Sequence, residues 1–498
     1  MRHVMLLFSL LISGALTSLC QTPASIKVDW NKVVRVSKTK PTLLVIGTPP
    51  LRRSSKVHDR IFRLINDLQC DDVRYVPWQA YPRLGIAELE PPTSTATSWD
   101  FSLIDPMTED LLTATQGHSR VLSFSTIPQW MFKTPARVAY PSDPDQVFWN
   151  YEQGTELRDA TFQEAADYFA RIVSWYVNGG FTDELGKRHE SGHHYKIDYW
   201  EVLNEPDIEH HFDPQTYTRL YDAVVEAIHK VAPQIKFVGI CWSYPSGHPE
   251  LFEYFLNPAH HKPGIALDMI SYHFYAVPGD DENPTIYPFT FFAQADKFLE
   301  IIGYIESIRQ RLSPATGTLV NEIGTMLPDD WLQTDPTHVL QPVPASYWNL
   351  SAAVYAYVFA GLSRMGIDAA GESEITSGPG FFRSIAMLNW PEAEPNARYR
   401  VLKLISDNFS PGDKLVDSPG GVPNVMIQGF IKPDGERKLL LVNRRDRAVE
   451  MTLPGSTGAR LETIDQITGS NPPAVSRIED GRIKLGGLGV AVLTFSPK

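Results

Sequence analysis

The segment Tyr199-Trp-Glu-Val-Leu-Asn-Glu-Pro206 and the residues that follow it decide the fold class. Its first five residues include the aromatic and β-branched side chains that are typical of a strand. A helix is predicted from Pro214 onward, because Asp213 is a common N-cap residue and apolar side chains recur at helical spacing up to Ile228. The apolar run Ile235–Ile240 then completes a strand–helix–strand unit, which implies two parallel strands.

The same alternation of β-rich runs and helical periodicity continues on both sides of this unit. The predicted strands are Thr42–Ile46, Val73–Val76, Arg120–Phe124, Tyr199–Leu203, Ile235–Ile240, Leu267–His273, Thr318–Glu322 and Gly366–Ala370. Apolar stripes also predict helices near residues 57–68 and 161–176, and Thr161 and Glu164 have the spacing of a capping box at the start of the second. Eight such units with long connections after the strands favour a closed (β/α)8 barrel over an open, doubly wound sheet.

The character of the chain changes near Pro411, where the helical period stops and short alternating runs begin. These runs include Val425–Ile431, Lys438–Val442, Val449–Leu453 and Val490–Phe495, with turn residues between them. We therefore predict an α/β (TIM) barrel over residues 38–410 and a β-sandwich accessory domain over residues 411–498. Residues 21–37 contain another β-like run, Ile26–Val36, which we expect to join the sandwich.

Residues 1–20 have the pattern of a secretory signal peptide. Arg2 and His3 precede the apolar run Val4–Leu16, and small residues follow it. The run is too short to span a bilayer, and no later apolar stretch is long enough, so we expect a secreted or periplasmic protein without a membrane span. The alternatives are a helix of the mature chain and a lipoprotein signal ending at Cys20, against which the bulky Leu19 argues.

Composition and cysteine content restrict the partners and the covalent structure. The 498 residues carry a formal net charge of −13, whereas nucleic-acid-binding proteins usually present a basic face. Aromatic residues make up 11% of the chain, which suits a protein that stacks on sugars, although most of these rings must belong to the core. Cys70 and Cys241 remain after removal of the signal, and we expect them to lie at opposite ends of the barrel as free thiols.

Two predicted strands end in a glutamate, and parallel strands of a barrel end at one mouth. Strand four ends in Asn204-Glu205-Pro206, and strand seven ends in Asn321-Glu322. Either glutamate alone fits a solvated loop residue or a structural ion pair equally well. Two carboxyl groups together meet the requirement for breaking a glycosidic bond, because one protonates the leaving oxygen while the other attacks the sugar or stabilises its positive charge.

The segment Tyr199–Phe212 resembles the acid/base segment of glycoside hydrolase family 39, which contains β-xylosidases and α-L-iduronidases and belongs to a clan of retaining (β/α)8 glycosidases. Other segments resemble family segments in the same order: Trp99–Asp105, Ser125–Trp130, Ser271–Tyr275 and Asn396–Arg400. The resemblance implies that Glu205 is the acid/base, Glu322 the nucleophile and Asn204 the partner of the sugar 2-hydroxyl. Asn321–Thr325 departs from the Thr-Glu-Phe pattern of many β-xylosidases, which leaves the sugar specificity open.

Three more residues are candidates for the site. Arg74, inside strand two, resembles the clan's arginine that hydrogen-bonds the nucleophile, and its charge would keep Glu322 ionised. A structural salt bridge is the alternative for this arginine. His273 and Tyr275 end strand six, where they can contact the sugar or the nucleophile, while a satisfied core histidine is the alternative for the first.

Long loops after strands three, six, seven and eight predict a walled pocket rather than an open groove. They cover residues 127–161, 276–289, 324–344 and 372–396, and they carry Trp130 and Trp390, whose rings could stack on a sugar or pack in the core. We therefore expect an exo-acting enzyme that removes terminal sugars from an oligosaccharide or polysaccharide. An endo-acting enzyme of the same clan and a glycan-binding barrel without catalysis are the alternatives.

A zinc site is the rival interpretation of the polar loop with His189, His193 and His194. The loop precedes strand four and so lies on the face away from the two glutamates. No thiolates stand at metal spacing near it, and a solvated loop accounts for its composition. The proposed chemistry requires neither a metal nor a cofactor.

Overall fold

The computed structural model describes residues 24–149, 154–333, 335, 337–378 and 380–495, so the predicted signal peptide lies outside the described residues. Eight parallel strands, each paired with its sequence neighbours, close into a barrel when the eighth pairs with the first. The strands are β1 (Lys40–Ile46), β2 (Asp72–Val76), β3 (Ser119–Leu122), β4 (Tyr199–Glu201), β5 (Lys236–Trp242), β6 (Met269–Ala276), β7 (Gly317–Thr325) and β8 (Ala369–Glu372). Each predicted run overlaps one of them, and the (β/α)8 fold is confirmed.

A helix follows each strand of the barrel. The helices are α1 (His58–Leu68), α2 (Ile104–Ala114), α3 (Gln163–Val177), α4 (Pro214–Val231), α5 (Glu250–Phe255), α6 (Tyr287–Leu312), α7 (Ala345–Met365) and α8 (Ala397–Asn408). Two short helices, Pro82–Gly85 and Pro206–Glu209, lie in the loops after β2 and β4. Two small hairpins lie outside the barrel, pairing Gly180–Thr182 with Arg188–Glu190 and Leu388–Asn389 with Glu394–Pro395.

The predicted helix starts have different outcomes. Asp213 caps α4, since its carboxylate accepts a hydrogen bond from the backbone N–H of Thr216 at 2.6 Å. The capping box predicted at Thr161 is wrong. Asp159 accepts the backbone N–H groups of both Thr161 and Glu164, each at 2.9 Å. An ionised carboxylate is a stronger acceptor than a hydroxyl, which explains why the aspartate takes this position.

The C-terminal residues form two facing sheets together with the first described residues. The seven-stranded sheet has the order Lys27–Val36, Lys414–Gly420, Val425–Ile431, Arg437–Asn443, Val490–Thr494, Arg460–Ile464 and Ala474–Arg477. The smaller sheet contains Ala24–Ser25, Val449–Thr452 and Arg482–Leu485. Side chains from both sheets, such as Leu441 and Met451, share a separate apolar core, so the arrangement is a β-sandwich.

The sandwich packs on the flank of the barrel, against α7 and the end of α8. The ring of Phe409 lies 4.4 Å from that of Phe430, and the Arg364 guanidinium donates to the backbone oxygen of Ile427 at 2.6 Å. Leu440 and Val442 belong to the same continuous apolar cluster as the barrel residues. The sandwich therefore packs against the outer helices of the barrel.

Cys70 and Cys241 are free, as predicted, and both are buried. Cys70 lies between α1 and β2, at the end of the barrel where the strands begin, and Cys241 lies near the end of β5. In the described part of the chain, every helix is too short or too polar to cross a lipid bilayer.

Candidate active site

Glu205 and Glu322 meet at the mouth of the barrel. Glu205 follows β4 with a left-handed backbone (φ 41°), whereas Glu322 lies within β7 in register with His273 of β6. Nδ1 of His273 lies 2.7 Å from Oε1 of Glu205 and 3.5 Å from Oε2 of Glu322. One oxygen of each carboxyl group and the imidazole nitrogen all lie within 4.8 Å of one another. The imidazole ring therefore bridges the two carboxyl groups.

The surroundings shift the pKa values of the two glutamates in opposite directions. Burial raises the pKa of Glu205, and the negative charge of Glu322 adds to that rise against the opposing effect of His273. Burial also acts to raise the pKa of Glu322, but the positive charges of His273 and Arg74, with hydrogen bonds from Tyr275 and Arg74, outweigh it and lower that pKa. Glu205 is thus the better proton carrier and Glu322 the better carboxylate.

Arg74 is fully buried on β2 and connects the groups beneath the mouth. Its guanidinium donates to Oε1 of Glu322 at 2.6 Å, to Oε2 of Glu201 at 2.7 Å and to Oδ1 of Asn204 at 2.7 Å. The structure therefore places Arg74 against the predicted nucleophile. Because a planar guanidinium presents its donors in a fixed fork, these bonds also fix the direction of the Glu322 carboxylate.

Glu201, which the sequence analysis did not select, is the second partner of Arg74. It is fully buried within β4 and also accepts hydrogen bonds from Ser271 and Asn321. Arg74 therefore has two carboxylate partners, and Glu201 remains beside it when Glu322 changes its charge. The sequence feature that could have identified Glu201 is a glutamate inside an otherwise apolar strand. A buried charge requires a partner, so such a glutamate indicates an ion pair.

Tyr275 holds the other oxygen of the nucleophile candidate. Its hydroxyl donates to Oε2 of Glu322 at 2.6 Å and contacts Oγ of Ser373, which follows β8. The two oxygens of Glu322 thus have separate donors from β2 and β6. Such fixed donors favour the ionised form and leave little freedom for the side chain to rotate.

Asn204 faces the cavity, but its amide already has protein partners. Oδ1 accepts from Arg74, and Nδ2 donates to Oε1 of Glu209 at 2.9 Å. The same Glu209 oxygen accepts from Nε1 of Trp78 at 2.6 Å. Burial and the nearby charge of Glu205 raise the pKa of Glu209 well above its usual value. Sequence reasoning missed Glu209 and Trp78, because they lie on loops whose path only the fold determines.

Cys241 lies directly beside the charged cluster. Its sulfur is 3.2 Å from Nη2 of Arg74 and 3.3 Å from Nε2 of His273, and burial raises the pKa of the thiol. Ile240 and Cys241 both have left-handed backbones, with φ values of 72° and 48°, which are unfavourable for side chains of these types. The hydroxyl of Tyr217 on α4 accepts the N–H of Ile240 at 2.7 Å, which supports this turn.

A cavity of about 560 Å³ opens above the two carboxyl groups. Glu205, Glu322, Asn204, His273 and Tyr275 all line it. The rest of its wall comes from loops after several strands, and it is lined by Trp78, Tyr244, Trp331, Phe382 and Ile385, among other residues. Among the described residues, its lining includes none from the sandwich. The predicted glutamates, His273 and Tyr275 are therefore brought together in one cavity, over the buried Arg74.

Trp130 and Trp390 do not belong to this cavity lining, which corrects the expectation that their rings reach the site. Nε1 of Trp130 donates to the backbone oxygen of Glu88 at 2.9 Å, and its ring lies 4.5 Å beneath the guanidinium of Arg158. Trp390 is 42% exposed in the loop after β8. The aromatic rings that face the cavity include Trp78, from the loop after β2.

Among the described residues, Glu205, His273 and Glu322 form the one group of His and carboxylate side chains close enough to hold a metal ion. Glu322, Cys241 and Glu205 together raise the pKa of His273 well above its usual value despite its burial, and a proton on the imidazole competes with metal binding. His189 and His193 in the loop before β4 pair with different carboxylates, at Asp183 and Asp105.

Several solved glycoside hydrolases share the fold of this chain. A family 51 α-L-arabinofuranosidase from Bifidobacterium longum superposes with a TM-score of 0.64 at 14% identity, over 95% of this chain and 100% of the other. A family 51 arabinofuranosidase from Xanthomonas axonopodis pv. citri gives 0.62 at 13% identity, over 95% and 99%. A family 30 endoxylanase from Clostridium papyrosolvens C71 gives 0.56 at 13% identity, over 96% and 100%. Neither a protein-family model nor a curated protein sequence matches the chain.

Proposed function

We propose that this protein is a retaining glycoside hydrolase in which Glu322 is the nucleophile and Glu205 the acid/base. The observation that carries the proposal is the pair of carboxyl groups within 4.8 Å at the barrel mouth, with pKa values shifted in opposite directions. Retaining glycosidases hold their two carboxyl groups about 5–5.5 Å apart, whereas inverting enzymes leave room for a water molecule between them.

The surroundings of the pair suit the two chemical steps. In the first step, Glu322 attacks the anomeric carbon while Glu205 protonates the departing oxygen. The bond from Glu322 to the sugar removes the negative charge that raises the pKa of Glu205. Glu205 can then accept a proton from water, and the resulting hydroxide releases the sugar with its original configuration. His273 lies within hydrogen-bond distance of Glu205, with its Nδ1 2.7 Å from Oε1.

We further propose an exo mode of action and a place near family 39 of the clan. The walled cavity supports the first, since the loops after β7 and β8 contribute Trp331 and Phe382 to its wall. The motif order from Trp99 to Arg400 supports the second. Release of single sugars from the end of an oligosaccharide is the expected product pattern, and release of internal fragments would indicate an endo-acting enzyme instead.

We also propose that the protein is exported. The support is the basic start and apolar run of residues 1–20. Recovery of the processed chain from the medium or periplasm, with an N-terminus near Gln21, is the expected result, and an unprocessed chain in the cytoplasm would refute it.

The test of the catalytic roles uses a panel of 4-nitrophenyl glycosides with three variants. Glu322→Ala should lose activity on every substrate, since no leaving group compensates for a missing nucleophile. Glu205→Ala should still form the glycosyl-enzyme from these activated substrates, and azide should restore turnover with a glycosyl azide of retained configuration. Glu450→Ala, an exposed glutamate of the sandwich, is the control and should keep full activity. Rescue of Glu322→Ala by azide with retained configuration would overturn the assignment.

A further inference from the structure

The cavity extends well beyond the two carboxyl groups, towards helix α6. We define its apolar arm as Ile208, Tyr244, Phe274, Val277, Phe298 and Ile301, all of which line the same cavity as Glu205 and Glu322. They come from the loops after β4, β5 and β6, from β6 itself and from α6.

The apolar arm lies on the side of the acid/base. Ser243 in the loop after β5 donates to the carboxylate of Asp207 at 2.6 Å, which ties Tyr244 to the loop that begins with Glu205. A general acid must contact the oxygen of the group that it expels, while the nucleophile attacks from the opposite side. The apolar arm is therefore where the leaving group of a glycoside would lie.

Several polar side chains line the cavity beside the apolar arm, and most of them already bond to protein partners. Gln294 accepts the N–H of Val277 at 2.9 Å and donates to its carbonyl at 2.7 Å. The hydroxyl of Ser243 donates to Asp207, which leaves Ser246, the hydroxyl of Tyr244 and Lys297, itself paired with Glu300 at 3.3 Å. A second sugar would bury several hydroxyl groups here with few partners, and an unpaired buried hydroxyl is costly.

The side chains that a ligand in the apolar arm would contact are large and apolar. The rings of Phe274 and Phe298 stack with centroids 4.5 Å apart and are already largely buried, so most of the accessible apolar surface comes from other side chains of the arm. Tyr244 is 65% exposed and Ile208 53% exposed, so both present apolar surface to water where they line the cavity. An apolar ligand that covers them would remove this surface from water.

We propose that the physiological substrate is a glycoside of an apolar alcohol, with an alkyl or aromatic leaving group in the apolar arm instead of a second sugar. The inference rests on the proposed function and replaces the oligosaccharide or polysaccharide substrate expected from the sequence with a different class of glycoside. The leaving group departs as the free alcohol after protonation by Glu205, as in the general reaction.

The test compares methyl, butyl and octyl glycosides with a disaccharide, all with the sugar that gives the highest rate in the 4-nitrophenyl panel. The octyl glycoside is used below its micelle concentration. We expect kcat/KM to rise by about two- to fourfold per methylene, the range for a methylene that leaves water, until the chain outgrows the apolar arm. The disaccharide should be slower than the octyl glycoside.

Two variants and one control link the effect to the apolar arm. Tyr244→Ser and Val277→Asn should lower the ratio of octyl to methyl kcat/KM, while Tyr304→Ser, an exposed tyrosine of α6 outside the cavity lining, should leave it unchanged. Equal kcat/KM for all alkyl glycosides, together with a faster disaccharide, would overturn the inference and leave the glycosidase proposal intact. Failure to cleave any 4-nitrophenyl glycoside would instead overturn the proposed function itself.

Discussion

The barrel mouth and the C-terminal sandwich bury their side chains equally well, but the sandwich buries apolar groups and the mouth buries ionisable groups. In the sandwich core, Leu439, Leu441, Met451 and Leu493 are essentially inaccessible and apolar. At the mouth, four ionisable groups are each at least 95% buried: Arg74, Glu201, His273 and Glu322. Apolar burial stabilises a fold directly, whereas buried charges do so only when each has partners. The sandwich is thus built for stability, and the mouth holds charges that the chemistry needs.

The backbone shows the same difference. At the mouth, left-handed conformations occur at Leu203, Glu205, Ile240 and Cys241, where a side chain makes them unfavourable. In the sandwich they occur mostly at turn glycines such as Gly435, which adopt them without penalty. Unfavourable backbone persists where the surrounding structure holds it in place and commonly marks functional sites.

Removal of the central cation should have the largest effect. Arg74→Met leaves Glu201 and Glu322 buried without their shared partner, so we expect about 3–5 kcal/mol less stability. Activity should also fall by about 10²- to 10³-fold, the usual effect of removing one fixed donor from a catalytic site. Chemical denaturation and kcat/KM on an aryl glycoside measure the two losses.

The matched control for that variant is Arg482→Met, an arginine of the sandwich with a side chain that is 72% exposed. It should change stability by no more than about 0.5 kcal/mol. If Arg74→Met folds and works as well as Arg482→Met does, the contrast between the mouth and the sandwich is lost.

A core truncation in the sandwich should affect stability alone. Leu441→Ala removes a fully buried side chain and should lower the free energy of unfolding by about 2–5 kcal/mol. At a temperature where the variant is folded, kcat/KM should equal that of the parent protein, because the described lining of the cavity contains no sandwich residue. A changed kcat/KM in the folded variant would show that the sandwich acts on the site.

The sequence predicted the fold and the meeting of Glu205 and Glu322 at the barrel mouth for the same physical reason. Strand runs and helical stripes have local periods, and glutamates at strand ends must reach the barrel mouth. Cys241 was assigned to the correct end of the barrel but not to the site, because its contact with His273 depends on the turn at Ile240. Trp130 was misplaced because a loop's path depends on contacts, such as its bond to Glu88, that have no local signal.

A smaller loss should follow when Glu322 loses one hydrogen-bond donor. Tyr275→Phe removes the hydroxyl that donates to Glu322, and a bond to a charged group implies a loss of about ten- to hundredfold in kcat/KM. The bond now helps to lower the pKa of Glu322. That pKa should therefore rise in the variant, and the acid limb of the pH profile should move to higher pH.

The control for this variant is Tyr399→Phe, a buried tyrosine on α8 whose hydroxyl bonds Asp67 away from the cavity. Its pH profile should match that of the parent protein. A shift of the acid limb to lower pH in Tyr275→Phe would contradict the role of the hydroxyl as a donor to the nucleophile.

The two buried thiols allow a comparison with the smallest expected effect, because the same substitution can be made at both ends of the barrel. Cys241 contacts Arg74 and His273, whereas Cys70 contacts Ser406. Cys241→Ala removes a partner that raises the pKa of His273, so the imidazole should hold its proton less tightly.

Because the positive charge of His273 lowers the pKa values of both Glu205 and Glu322, both should rise in Cys241→Ala. The two limbs of the pH profile of kcat/KM should therefore move together to higher pH. The maximum should fall by about two- to fivefold, in line with the loss of one weak hydrogen bond. Cys70→Ala should reduce stability without moving either limb, since its thiol contacts no member of the charged cluster. A profile that moves in Cys70→Ala and stays fixed in Cys241→Ala would show that the sulfur of Cys241 only fills space beside the imidazole.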